Sequence, residues 1–323
     1  MTHILVAGRL HQAGIDVLKQ AKGFTYKLID EVSVESFAPF IGEADGLVIR
    51  TQPLTAEVVA TAPNLRVVSR HGVGYDAIDV AALNARKIAL TIVGDVNSRA
   101  VGEHTLMLML AAARRTAVHD AAARNGNWQI RNKFETIELD GKTLFLLGFG
   151  RIGRRVAELA KAFGMKVMAQ DPFVDAAAME KFGVTHVSDR KAGLAAADYV
   201  SLHLPGSRDG AAIGAAEIAL MKPTAIIINA ARGGLIDETA LDSALREGRL
   251  GGAGLDVLAQ EPPPRDHPLL SNDRVTISPH SAGLTNECAA RMAVASVQNV
   301  IDFFEGRLDP ALAVNRDHAP VSA

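Results

Sequence analysis

The feature that most restricts the fold is a run of twelve residues, Lys142-Thr-Leu-Phe-Leu-Leu-Gly148-Phe-Gly150-Arg-Ile-Gly153. An aliphatic strand signal, Thr143–Leu147, runs straight into three glycines spaced G-x-G-x-x-G, and a helical stretch over Arg154–Phe163 comes next. The first glycine permits the tight turn, the second lets backbone approach a pyrophosphate, and the third lets the helix close on the strand. The helix N-terminus then offers unpaired N–H groups and a partial positive charge. A second strand signal, Lys166–Ala169, leads to Asp171, 18 residues beyond Gly153. A carboxylate there accepts hydrogen bonds from adenosine ribose hydroxyls and repels a 2′-phosphate, which favours NAD over NADP. The glycines alone would mark any βα turn; strand, helix and acid together make the site.

The same alternation extends along the chain. Strand signals lie at His3–Ala7, Tyr26–Ile29, Gly46–Ile49, Arg66–Ser69 and Ile88–Thr91, with helical patterns at Ile15–Gln20, Ala56–Thr61 and Val80–Asn84. Near Asn97 the pattern changes. Ser98 is placed to cap a long helix whose core, Leu106–Ala113, is apolar nearly all round and expected between layers or subunits. A polar, irregular stretch, Asn125–Asp140, holds the one tryptophan, Trp128. A second series adds strands at Tyr199–Leu202, Ala225–Asn229, Gly252–Leu255 and Val275–Ile277, and an amphipathic helix over Asn286–Glu305 stopped by Gly306. Strands alternating with helices imply parallel sheets covered on both faces, an α/β fold. A length of 323 residues implies two domains.

A formal net charge of −2, with 48% hydrophobic and 22% charged residues, draws in neither nucleic acid nor an anionic membrane. The single cysteine, Cys288, excludes an intramolecular disulfide and fits a reducing, cytoplasmic setting. The start, Met1-Thr-His-Ile-Leu-Val-Ala, lacks the charged and apolar regions of a signal peptide, and no apolar run is long enough to span a bilayer. No His, Cys, Asp and Glu cluster has metal-ligand spacing, so no metal is expected.

Reduction of a 2-keto acid needs a cation for its carboxylate, a proton donor for the forming alkoxide, a partner for that donor, and a held nicotinamide. Each has a candidate past the end of a strand, where open α/β sheets bind ligands. Arg232 follows Ile226-Ile-Ile-Asn-Ala230-Ala and can bind a carboxylate through two parallel N–H bonds. His280 follows Thr276-Ile-Ser-Pro279 and is the candidate donor. Glu261, before Pro262-Pro-Pro264, would favour its imidazolium form. Asp256 ends the Gly252–Leu255 strand, close to the expected nicotinamide. Taken one at a time, these are also an arginine beside a turn, a bonded loop histidine, a surface acid and a strand-end cap.

Together the motifs resemble the D-isomer-specific 2-hydroxyacid dehydrogenases, and among them most the 3-phosphoglycerate dehydrogenases. The similar stretches are Arg70-His-Gly-Val-Gly-Tyr-Asp-Ala-Ile-Asp79, Gly141 to Gly153, Asn229-Ala-Ala-Arg232-Gly-Gly-Leu-Ile-Asp-Glu238, Ala253-Gly-Leu-Asp256, Glu261-Pro-Pro and Ser278-Pro-His280. The resemblance implies His280 as acid/base, Glu261 as its partner and Arg232 as the substrate-orienting cation. It implies NAD contacts at Gly148, Gly150, Arg151, Ile152, Gly153, Asp171, Pro205, Ala230, Arg232, Asp256, His280 and Ala282. Gly72, Val73 and Gly74 would bind the substrate carboxylate. Arg50 and Arg70 would cradle a distal anion, with 3-phosphohydroxypyruvate the leading substrate, unless both are surface arginines paired with Asp45 or Asp76. It further implies a Rossmann NAD-binding domain at 99–283 and a discontinuous, flavodoxin-like substrate domain at 1–98 and 284–323. That domain's C-terminal helix returns to its N-terminal one, and hinges near Asn97 and Gly283 close the cleft on substrate. A homodimer would form through the NAD-binding domain, with Thr105–Ala113 at the interface.

Leu204-Pro-Gly-Ser-Arg-Asp209 departs from the family's Pro-Leu-Thr pattern, and a chain ending at Ala323 is expected to lack regulatory domains. Two other functions stay open. One is a hydroxypyruvate or glyoxylate reductase with the same site. The other is an NAD-sensing, corepressor-like interaction protein, which would need a peptide-binding extension that is not evident.

Overall fold

The computed structural model describes residues 1–206 and 210–318. The chain folds as two compact units, Met1–Asn97 joined by the segment from Leu284 onward, and Ser98–Gly283. In each, short aliphatic strands form a parallel sheet whose inner strands are largely buried, while most edge strands are half-buried or exposed.

The first unit has five strands: β1 (Thr2–Ala7), β2 (Phe24–Ile29), β3 (Gly46–Ile49), β4 (Val67–Arg70) and β5 (Ala89–Thr91). Their order is β2-β1-β3-β4-β5, so the winding reverses between β1 and β3. Ile49 pairs in register with Arg70, which brings Arg50 and Arg70 out at one edge of the sheet. The last long helix, Asn286–Phe304, lies against the first, Gln12–Gln20. Their approach is close: a Cβ on Gly14 would fall 2.8 Å from that of Ala293.

The second unit has seven: β6 (Thr143–Leu147), β7 (Lys166–Gln170), β8 (Thr185–His186), β9 (Tyr199–Leu202), β10 (Ile226–Asn229), β11 (Gly252–Leu255) and β12 (Val275–Ile277). The order β12-β11-β10-β9-β6-β7-β8 reverses between β6 and β9. Loops after β6, β7, β9, β10, β11 and β12 therefore leave one edge, on both sides of the reversal, where an open α/β sheet gathers ligands.

Several elements differ from the sequence reading. Ser98 is the first residue of the Ser98–Ala113 helix, not the residue before it. That helix packs on β10, β11 and the Arg151–Ala162 helix of its own unit, leaving Glu103 and Met107 exposed. A further helix, Thr116–Arg124, precedes the irregular stretch, which itself holds a 3-10 turn over Trp128–Lys133. Neither has a buried residue, so neither shows the apolar stripe that a periodicity search detects. Strand β8 is two exposed residues at the sheet edge.

Candidate active site

Gly148 turns the chain out of β6 with φ +98, and a Cβ there would lie 2.5 Å from the carbonyl oxygen of His203. A Cβ on Gly153 would strike the Gly148 carbonyl. Gly150 opens the Arg151–Ala162 helix without any side-chain cap, and, its chain neighbours apart, no atom of the described residues lies within 4 Å of where its Cβ would stand. The result is a helix start with unsatisfied N–H donors and clear space beside them, which fits a pyrophosphate. Asp171 is folded onto this turn. Its Oδ2 accepts the Phe149 N–H and its Oδ1 the Phe173 N–H, both at 2.8 Å. Each carboxylate oxygen has a second lone pair, so capacity for a ribose remains.

His203, past the end of β9, was not singled out in the sequence. Its Nε2 meets Ser201 Oγ at 2.9 Å, and dense surrounding protein pulls its pKa down to about 4 although the residue is only half-buried by area. It is a neutral wall under the glycine turn. Pro205 and Gly206, beyond it, are exposed; Ser207–Asp209, where the sequence departs from the family pattern, lie outside the described residues.

After β10, buried Asn229 shapes the loop that carries Ala230 and Arg232. Its Nδ2 donates to the Arg232 carbonyl at 2.8 Å, and its Oδ1 accepts the Ala231 N–H at 3.0 Å. Arg232 Nη1 donates to the Ala231 carbonyl at 2.7 Å, which folds the guanidinium back along the loop.

The loop after β12 holds His280. Its φ is +51, a left-handed conformation uncommon for a side-chain-bearing residue. Buried Asp256 secures it. The Asp256 carbonyl accepts the His280 N–H at 2.8 Å. Its Oδ1 accepts Ser278 Oγ at 2.6 Å and the Ser281 N–H at 2.9 Å, and its Oδ2 accepts the Ala282 N–H at 2.9 Å. Burial pushes this carboxyl up, but His104, Ser278 and the two amides outweigh it and hold it below the usual carboxylate range. His280 Nδ1 lies 2.6 Å from Glu261 Oε2, and Glu261 Oε1 accepts the Leu258 N–H at 3.0 Å. The structure thus brings His280, Glu261, Asp256 and Ala282 into one bonded cluster. Asn229 and Ser278 stand within motifs whose other residues draw the attention, and His104 lies far along the chain, so none of the three shows its bonding role in the sequence.

In the first unit, Arg50 and Arg70 flank buried His71. Arg50 Nη1 donates to the Arg9 carbonyl at 3.0 Å, and Arg70 Nη1 to the His71 carbonyl at 2.5 Å. The Arg70 guanidinium lies over Gly72, whose absent Cβ would stand 3.0 Å from Nη1. Burial, then Arg50 and Arg70, pull the His71 pKa down to about 3, and its Nε2 has no hydrogen-bond partner. Arg50 and His71 form part of the wall of a cavity of about 590 Å3, with Gly8, Arg9, His11 and Asp30. Asp45, one suggested partner of the arginines, accepts the His3 N–H at 2.7 Å. Val73 and Gly74 continue as a half-buried loop. Among the described residues, no group of three or more His, Cys, Asp or Glu is arranged to hold a metal.

Residues 106–282 match the family described as D-isomer specific 2-hydroxyacid dehydrogenase, NAD binding domain. The chain belongs to the D-isomer-specific 2-hydroxyacid dehydrogenases. It is 39% identical to a D-3-phosphoglycerate dehydrogenase of Methanocaldococcus jannaschii over 95% of this chain and 58% of that one. The chain therefore spans under two thirds of the length of that curated relative. A glyoxylate reductase of Korarchaeum cryptofilum is 39% identical over 86% of this chain and 84% of its own. The family fold extends over both units. A D-lactate dehydrogenase from Aquifex aeolicus, solved with NAD and lactic acid, superposes with a TM-score of 0.87 at 27% identity, covering 96% of this chain and 98% of that one. No helix among the described residues is long and apolar enough to cross a membrane.

Proposed function

We propose that this dehydrogenase interconverts a small D-2-hydroxy acid and its 2-keto acid with NAD(H), the leading pair being 3-phosphoglycerate and 3-phosphohydroxypyruvate. The observation that carries the reading is the His280–Glu261 pair at 2.6 Å. It stands on a loop at the same sheet edge as the uncapped Gly148–Gly153 turn. That turn, Asp171, Pro205, Ala230, Asp256 and Ala282 would hold NAD(H), which would supply or accept the hydride when bound.

The residues do the rest. In the reductive direction Arg232 binds the substrate carboxylate and polarises the adjacent carbonyl. The Gly72-Val73-Gly74 backbone offers N–H groups to a substrate anion. Glu261 holds His280 Nδ1, which leaves Nε2 to give its proton to the carbonyl oxygen as that oxygen becomes an alkoxide. One proton and one hydride are consumed per keto acid, and His280 regains its proton from solvent. Arg50 and Arg70 hold a distal phosphate or carboxylate, with His71 kept neutral between them. We place the enzyme in the cytoplasm as a homodimer joined through Ser98–Gly283, in line with its buried single cysteine and the exposed Met107 on the interface helix.

The test is NADH oxidation across a panel of 2-keto acids, phosphorylated and not. Highest kcat/KM on 3-phosphohydroxypyruvate supports the reading; turnover of none overturns it. A second reading, glyoxylate or hydroxypyruvate reductase, is favoured by the Korarchaeum relative, with which alignment is nearly full length. Glyoxylate as the best substrate would select it.

A further inference from the structure

His104 lies on the Ser98–Ala113 helix, and the proposed chemistry does not use it. Its Nε2 is 2.7 Å from Ser278 Oγ and 3.3 Å from Asp256 Oδ1. Ser278 donates its only hydroxyl proton to Asp256 Oδ1, at 2.6 Å. Toward His104 the Ser278 oxygen therefore has only lone pairs. Nε2 must bring the proton, because a bare Nε2 would set lone pair against lone pair at Ser278 and against a carboxylate at Asp256. The same carboxylate takes the Ser281 and Ala282 N–H groups, and the Asp256 carbonyl takes that of His280. His104 is thus the anchor through which the helix grips both ends of the bonding that holds His280 at φ +51.

We propose that His104, as its Nε2–H tautomer, is a positioning residue for the proton-transfer step, acting through Ser278 and Asp256. The inference rests on the reading of His280 as proton donor. Without His104 the Ser278 hydroxyl and the Asp256 carboxylate lose a donor at a buried position, and the loop has less to oppose relaxation of a left-handed His280. Small displacement of a reacting group is costly in rate, on the order of a hundredfold for about 1 Å. His104 touches no substrate, so the cost falls on turnover and is equal for every keto acid.

Three proteins test this: wild type, His104→Leu and His104→Gln, each with its Tm measured. The glutamine amide can donate from nearly the place of Nε2. His104→Leu is expected to lower kcat roughly ten- to a hundredfold, with the keto-acid KM within about twofold of wild type, and His104→Gln to recover most of the loss. Wild-type kcat in His104→Leu, a glutamine variant no better than leucine, or a loss confined to KM overturns the proposal. A 15N spectrum of the histidine rings gives a readout free of activity. Nε2 of His104 should carry the proton, and Ser278→Ala should shift that signal; a bare Nε2 overturns the inference. If wild type reduces no 2-keto acid while the spectrum shows the protonated Nε2, the proposed reaction has failed and the tautomer has not.

Discussion

Both units begin their sheet in the same way, with an inner strand, a glycine turn, a helix, and a reversal of winding beside that strand; yet only one of the two turns leaves its helix start without a side-chain cap. Gly8, after β1, has φ +97, and Gly148, after β6, has φ +98. The helices beyond these turns start differently. The Gln12–Gln20 helix is capped by its own sequence, because His11 Nδ1 accepts the Ala13 N–H at 3.1 Å. The Arg151–Ala162 helix begins at Gly150 with no cap. A Cβ on Gly8 would meet the movable Arg50 side chain, whereas one on Gly148 would meet the His203 backbone. Topology supplies the crevice in both units. Whether a crevice takes a pyrophosphate depends on whether the chain's own side chains already occupy the first free N–H groups.

The histidines divide in the same way. His280 is exposed and paired with Glu261, while His71 is buried and flanked by cations. His280→Ala should therefore lower kcat about a hundred- to ten-thousandfold, the span of positioned general acids, with NADH affinity kept. A loss under tenfold in single-turnover reduction would remove His280 from the chemistry. Glu261→Gln should also cost turnover, because His280 Nδ1 loses the carboxylate that holds it in place.

The turns come next in size. Gly148→Val forces a side chain into fixed backbone and should weaken NADH binding about a hundredfold, the equivalent of an overpacking cost near 3 kcal/mol. Gly8→Ala meets only a flexible arginine and should cost stability of roughly 1–2 kcal/mol, leaving NADH affinity unchanged. Equal loss of NADH binding in both, by fluorescence titration, would erase the distinction between the two turns.

Arginines and acids give the next contrast. Arg50→Ala should reduce kcat/KM for a keto acid with a distal anion about a hundredfold, as expected for a lost charge-assisted contact, and leave glyoxylate little affected. Equal losses on both substrates would make Arg50 structural. Asp171→Ala should weaken NADH by about tenfold and narrow the preference over NADPH, provided that Asp171 does more than brace Phe149 and Phe173. A wild type that prefers NADPH would break the assignment.

Much of the fold and the site is legible in the amino-acid sequence. Strands Gly46–Ile49, Thr143–Leu147, Tyr199–Leu202, Gly252–Leu255 and Val275–Ile277 have the expected bounds, since runs this short between turn residues suit strands rather than helices. His280, Glu261 and Asp256 stand in recognisable motifs, and the geometry joins them. Their supports are not legible. His104 is 174 residues from Ser278, and nothing local in a helix of apolar residues says that one histidine faces a distant serine. His71 reads as part of a glycine loop, whereas its burial arises from the register of β3 with β4.

His71 yields the most specific effect, a change of slope with pH rather than a loss of turnover. Its pKa in the folded chain is about 3, against an ordinary value of 6.5, lowered by burial and then by Arg50 and Arg70. Above the ordinary value both folded and unfolded chains hold it neutral, and it has no influence on stability. As pH falls through that value, the unfolded chain takes up a proton that the folded chain refuses, so stability is lost, by up to about 1.4 kcal/mol per pH unit. The loss continues down to the folded value and then levels. His71→Asn removes the titration, so its stability should fall less steeply on acidification than that of wild type, even if the variant starts lower. Urea midpoints across the range between neutrality and the onset of carboxylate protonation measure the slope. Parallel slopes would mean that His71 is already charged in the folded chain, and the two histidines would then differ in burial but not in charge.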